Sequence, residues 1–226
     1  MNRILISIIT LLIVFAWWSS LTIGLSTDEY FHHINGLVRY QFLISLGEVQ
    51  NFKWRNNFIY PGLYDTFSYA LGQIVFLISK KFYVNNIDVV MHTINISFST
   101  LSIIGLYLLT NKIFNKRIAL ITLLLTLLNP FFFGHMGMNP KDIIVCFSFI
   151  WFCYYFYLYC VENDNIFKNL ILSSFFIGFG CGVRLALLMP VLPVILCGLY
   201  YLIKKYRSDY LYLIKRLYLH IPLAFF

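Results

Sequence analysis

The chain has 226 residues, 60% of them hydrophobic, 19% aromatic and only 12% charged, where a soluble domain carries about 25% charged residues. That composition excludes an ordinary soluble domain and predicts an all-α polytopic transmembrane helical bundle of about six or seven spans. The net charge of +8 does not indicate nucleic acid as a partner, because the basic residues stand in short segments between apolar runs, which is how membrane topology is written in sequence.

The first apolar run, 4–25, follows Arg3 and lacks a small-x-small cleavage site, so it reads as a retained anchor. Directly after it comes Ser26-Thr27-Asp28-Glu29-Tyr30-Phe31-His32-His33. Two adjacent carboxylates and two adjacent histidines at the mouth of a span are functional candidates, since ionisable groups at that depth are costly. Ser26-x-x-Glu29 is equally a capping box, and acidic residues in a first helical turn suit the helix dipole. Spacing alone does not separate cap from catalysis.

A long loop, about 26–86, follows. Within it, 30–49 and 61–79 carry apolar stripes at helical spacing, and both predict helices lying in the interface plane. Further spans are expected at 89–110, 118–133 (short, with Asn129-Pro130 near its end), 143–161, 169–189 and 190–203, with a seventh beginning at Leu217. Lys112, Lys116 and Arg117, then Lys204, Lys205, Arg207, Lys215 and Arg216, mark the cytoplasmic side and place the N-terminus there. A crossing at 61–78 would move the first of these clusters outside, so that segment is expected not to span. Cys146, Cys153 and Cys160 recur every seventh residue, and with Cys181 and Cys197 in apolar runs they read as small packing residues. No cysteine–histidine metal spacing is present.

On this topology the polar clusters face one boundary. They are Asp28-Glu29 with His32 and His33; Asp88, His92 and Asn95 on one face of the second span; His135, Asn139, Lys141 and Asp142 in the short loop between spans three and four; and Arg184. Arg184 lies roughly 22 Å along its span at 1.5 Å per residue. Each has a bland reading. Arg184 could snorkel to headgroups, Lys141-Asp142 could cap a helix, and His92 could be a packed, hydrogen-bonded core residue. The combination is what needs explaining: two carboxylate sites and two cations beside a loop able to cover them. Group transfer from an anionic lipid carrier needs that set, with cations for the phosphate and a carboxylate to take a proton from the nucleophile.

The order of motifs resembles the membrane-embedded GT-C glycosyltransferases, in the branch of dolichyl-phosphate-mannose protein mannosyltransferases and bacterial lipid-A aminoarabinose transferases. The resemblance rests on several features in sequence: the acidic pair Asp28-Glu29 after one span, the Tyr60-Pro61 start of a juxtamembrane helix, the basic turn 111–117, Leu128-Asn129-Pro130, Lys141-Asp142, and Gly178-x-Gly180-x-Gly182-Val183-Arg184 running into Pro190. It implies a single membrane domain over 1–226 that is the N-terminal part of such a transferase core, cut within its seventh span. It also implies transfer of a sugar from a polyprenyl-phosphate donor to an acceptor hydroxyl on the non-cytoplasmic face. Carried over, Asp28, Asp142 and Glu29 are the catalytic candidates. Lys141, Arg184 and His92 are donor-phosphate contacts, His92 standing where the family usually has a basic residue. His32, His33, Asp88, Asn139 and His135 would line the substrate site. The acceptor would be a protein, lipid or glycan. No cofactor is required and no divalent metal is indicated. The location would be the inner membrane of a bacterium or the endoplasmic reticulum of a eukaryote. Two other readings stay open at this point, a non-catalytic remnant of the same fold and a transporter or flippase of lipid-linked sugars.

Overall fold

Every element in the computed structural model, which describes residues 2–49 and 61–224, is helical. In chain order they are α1 (Asn2–Thr22), α2 (Thr27–Ile44), α3 (Leu63–Ile78), α4 (Lys80–Asn85), α5 (Ile87–Ile113), α6 (Lys116–Leu128), α7 (Pro130–Met138), α8 (Asp142–Val161), α9 (Ile166–Cys181), a 3₁₀ turn at Leu185–Leu187, α10 (Leu188–Lys205) and α11 (Tyr210–Ala224). Tyr60, from the expected Tyr60-Pro61 helix start, lies outside the described residues.

α5 is the central post. Its small and polar residues Ser99, Ser102 and Gly105 are buried, which lets neighbouring helices approach closely, as in other membrane bundles. Gly105 faces the Trp151 ring of α8, and the Trp151 indole donates to the Leu101 carbonyl at 3.1 Å. On the other side, Ile9 and Ala16 of α1 pack with Ile96, Ile103, Leu120, Leu123, Leu127 and Met136. The remaining face of α1 leaves Ile4, Leu11, Val14, Phe15 and Trp18 exposed, as a lipid-facing helix does.

Among the described residues, four helical stretches are long and apolar enough to cross a membrane: α1, α5, α8, and α10 with the 3₁₀ turn before it. Taking α6 and α7 as one bent span makes five, fewer than the six or seven expected. The differences have local causes. The third span is not straight, since α6 and α7 meet at 72°. Pro130 has no N–H to continue α6, and the Asn129 side chain starts a new helix by accepting from the Phe131 and Phe132 amides at 3.0 and 3.3 Å. The fifth span ends at Cys181 rather than at residue 189. There the Gly182 carbonyl turns out to accept the Leu63 N–H of α3 at 3.1 Å, and Arg184 leaves the helix in an extended conformation. α11 starts at Tyr210, earlier than Leu217, because the Asp209 side chain accepts the Tyr212 N–H at 3.0 Å and caps it.

α8 gives the bundle two distinguishable ends. At its C-terminus Lys112 pairs with Glu162 at 2.6 Å, and Lys205 donates to the Val161 carbonyl at 2.8 Å. The Arg216 guanidinium reaches the Tyr159 carbonyl and, at 2.7 Å, the Tyr206 hydroxyl. Cations here satisfy the last carbonyls and match the helix dipole. The N-terminus of α8, at Asp142, is the other end. α2 and α3 belong to that end. They pack chiefly on each other, and α3 meets α5 through Tyr64–Asn95 and Phe67–Phe98. α3, at 16 residues, is shorter than the four stretches long enough to cross a membrane.

α1 and α7 cross closely at the Asp142 end. A Cβ on Gly137 would collide with the Ser20 hydroxyl, and the Gly137 carbonyl accepts from the buried Asn95 amide at 3.1 Å. Gly137→Ala is therefore expected to cost about 1–3 kcal/mol, the usual penalty for overpacking. Thermal unfolding in detergent measures this, and a parent-like melting curve would show that α1 and α7 part freely.

Candidate active site

The elements that meet at the Asp142 end enclose an open cavity of ≈ 350 Å³ lined by Ser26, Asp28, His32, His135, Met138, Asn139, Pro140 and Lys141. One wall is the start of α2. The other is the turn from α7 into α8. Residues more than a hundred positions apart in the chain thus face one space.

The α2 wall is set by its cap. Ser26 accepts the Glu29 amide, and the Glu29 carboxylate accepts the Ser26 N–H at 2.9 Å, so the capping box is complete. Glu29 is fully buried, and its other oxygen lies 2.9 Å from Nε2 of His92, which is also fully buried. His92 Nδ1 is 2.8 Å from the Ser20 carbonyl. Both ring nitrogens of His92 are thus engaged inside the protein, locking α1, α2 and α5 together. The sequence expectation grouped Glu29 with the catalytic residues and His92 with the phosphate contacts. Their geometry is that of a structural lock, and neither lines the cavity. Asp28 has no part in the box, is exposed, and does line the cavity.

The opposite wall is organised by Asn139. Its side-chain oxygen accepts the Lys141 and Asp142 amides at 3.2 and 2.9 Å, and its amide donates to Asp142 at 3.0 Å and contacts His135 Nδ1 at 3.3 Å. Asp142 also pairs with Arg184 at 2.6 Å, both side chains being 46% exposed. The ion-pair partner of Asp142 thus comes from beyond α9 in the chain. Arg184 has five N–H donors, so pairing with Asp142 leaves it capacity for an anion. A half-exposed pair of this kind contributes only about 0–1 kcal/mol to stability, which leaves little structural reason for two charges to be held here.

His32, His135 and Asn139 line the cavity. Asp88 and His33 do not. The Asp88 carboxylate accepts its neighbour's amide, that of Val89, at 2.9 Å in the first turn of α5. The His33 ring sits against Tyr69 at 5.3 Å and Tyr83 at 6.5 Å, and burial lowers its pKa, favouring the neutral ring. The residue that the sequence did not single out is Asp65. It is buried in the first turn of α3, 2.9 Å from His32 Nδ1, with the Asn35 amide on its second oxygen. Nothing in the local pattern of 61–79 marks it, because its partners lie on another helix about thirty residues upstream.

Residues 71–226 match the sequence profile of the dolichyl-phosphate-mannose-protein mannosyltransferase family. The chain belongs to that family. Lys141, Asp142 and Arg184 fall within the matched stretch, whereas Asp28, Glu29, His32 and Asp65 precede it. No curated protein and no solved structure matches the chain significantly. Family membership and the apolar helices together make this an integral membrane protein of the mannosyltransferase type.

Proposed function

We propose that this mannosyltransferase-family protein is a GT-C glycosyltransferase that moves a sugar from a polyprenyl-phosphate donor to an acceptor hydroxyl of a protein, lipid or glycan, at the non-cytoplasmic face of its membrane. The observation that carries the reading is the cavity with the Asp28 carboxylate on one wall and the Lys141 ammonium on the other. In this mechanism the lipid phosphate lies against Lys141 and Arg184. The acceptor hydroxyl attacks the anomeric carbon, the bond from that carbon to the phosphate oxygen breaks, and Asp28 takes the hydroxyl proton. The cations stabilise the charge that develops on the leaving phosphate. Asp142 holds Arg184 in place. A transporter would need ionisable groups along a mid-membrane path. Here the fully buried pair, Glu29 and His92, is consumed in packing.

Lys141→Gln and Arg184→Gln are each expected to weaken binding of a polyprenyl-phosphate sugar by about 1.5–3 kcal/mol, the worth of a charge-assisted contact, or roughly tenfold to a hundredfold in Kd. Both variants should keep the parent's unfolding temperature. Unchanged affinity in both would mean that the phosphate is not held by this wall.

A further inference from the structure

We infer that His32, oriented by the buried carboxylate of Asp65, is a second catalytic group of this site that receives the acceptor's proton from Asp28; the inference rests on the transferase reading above. Asp28 and His32 stand four residues apart on α2, hence on one face, and both line the cavity. Asp65 is 8% exposed and His32 11%. The Asp65 carboxylate accepts from His32 Nδ1 and from the Asn35 amide, and Asn35 is itself held by the Arg39 guanidinium at 3.1 Å. An ionised carboxylate only accepts, so the proton on His32 is placed on Nδ1. That leaves the lone pair on Nε2, which makes no hydrogen bond among the described residues. A buried carboxylate behind an imidazole fixes its tautomer and stabilises the imidazolium when it forms.

A mere tie between α2 and α3 would not need a histidine at the edge of the reaction cavity, one turn from the proposed base. The charged or titratable groups beside His32 are Asp28 on its own helix, His135 on α7 and Lys141 in the following turn on the cavity side, and His33, Tyr64, Asp65, Tyr69 and Tyr83 on the α3 side, with Arg39 held against Asn35. The acceptor oxygen bonds to the anomeric carbon as the carbon–oxygen bond to the lipid phosphate breaks, and the phosphate leaves with the electron pair. The acceptor's proton passes to Asp28 and then to Nε2 of His32. Asp28 returns to carboxylate, and the imidazolium releases its proton to water at the open mouth of the cavity.

The test uses the full chain in proteoliposomes, with polyprenyl-phosphate mannose as donor and a serine/threonine peptide or water as acceptor. His32→Ala should lower turnover roughly a hundredfold, within the usual range for acid–base groups. Added imidazoles should restore it in order of their basicity. His32→Gln, which can still hydrogen-bond to Asp65 but cannot take the proton, should stay as slow as His32→Ala. Full turnover by His32→Gln, or rescue that follows imidazole size instead of basicity, overturns the role and leaves only a packing tie. Nitrogen NMR of the ring in the parent protein needs no variant to fold: the Nδ1–H tautomer is expected, and the Nε2–H tautomer would overturn the proposal. A parent that consumes no donor would overturn the transferase reading and this role with it. A parent that consumes donor while His32→Gln is unimpaired would overturn this role alone.

Discussion

Asparagine at position 28 is expected to stop sugar transfer while leaving the protein folded and able to bind its donor. The cap of α2 is made by Ser26 and Glu29, so Asp28 carries no structural duty there. Its side chain is exposed at the cavity edge, where Asn keeps the size and polarity of Asp. Surface substitutions without a partner usually change stability by less than about 0.5 kcal/mol. What Asn cannot do is accept a proton, and loss of a general base typically costs a factor of about 10²–10⁴. Transfer rates measured beside unfolding temperature and donor affinity separate these effects. A near-normal rate for Asp28→Asn would remove it as the base and make Asp142 the next candidate.

The largest expected stability effect lies one residue on. Glu29→Ala removes the carboxylate that closes the capping box and faces His92 at 2.9 Å. Nothing else among the described residues reaches the His92 Nε2, so the substitution leaves a fully buried ring nitrogen without a partner and opens a void between α1, α2 and α5. Breaking a buried pair from one side costs about 3–5 kcal/mol. Glu29→Gln retains an oxygen for the Ser26 N–H and similar volume, and should cost only about 1 kcal/mol. Thermal unfolding in detergent distinguishes the two, and Glu29→Ala melting with the parent would show that the lock contributes nothing.

These neighbours show where the sequence was readable and where it was not. The capping box is a local pattern, and the structure contains it as spaced. The helical nature of the spans is likewise local, since long apolar runs leave little else for backbone polar groups to do in lipid. Asn129-Pro130 announced a helix end, but the 72° bend depends on Asn129 capping a new helix with its own side chain. The pairs that build the site are all distant in sequence. His92 could be read as a ligand or as a core residue, and its burial against Glu29 at 2.9 Å is visible only in the fold. Asp142 at the start of α8 and Arg184 beyond the end of α9 are 42 residues apart in the chain and meet because α8 and α9 pack together. Asp65 was invisible because a lone carboxylate in a first turn reads as a dipole partner until the fold brings His32 and Asn35 to it.

The most direct test follows radiolabelled polyprenyl-phosphate mannose in sealed proteoliposomes carrying the purified chain in one orientation. The label is expected to leave the lipid for a hydroxyl acceptor, with one polyprenyl phosphate released per mannose transferred, on the side that Asp28 and Lys141 face. Donor that stays intact in place, or that moves intact to the opposite leaflet, would contradict the transferase reading.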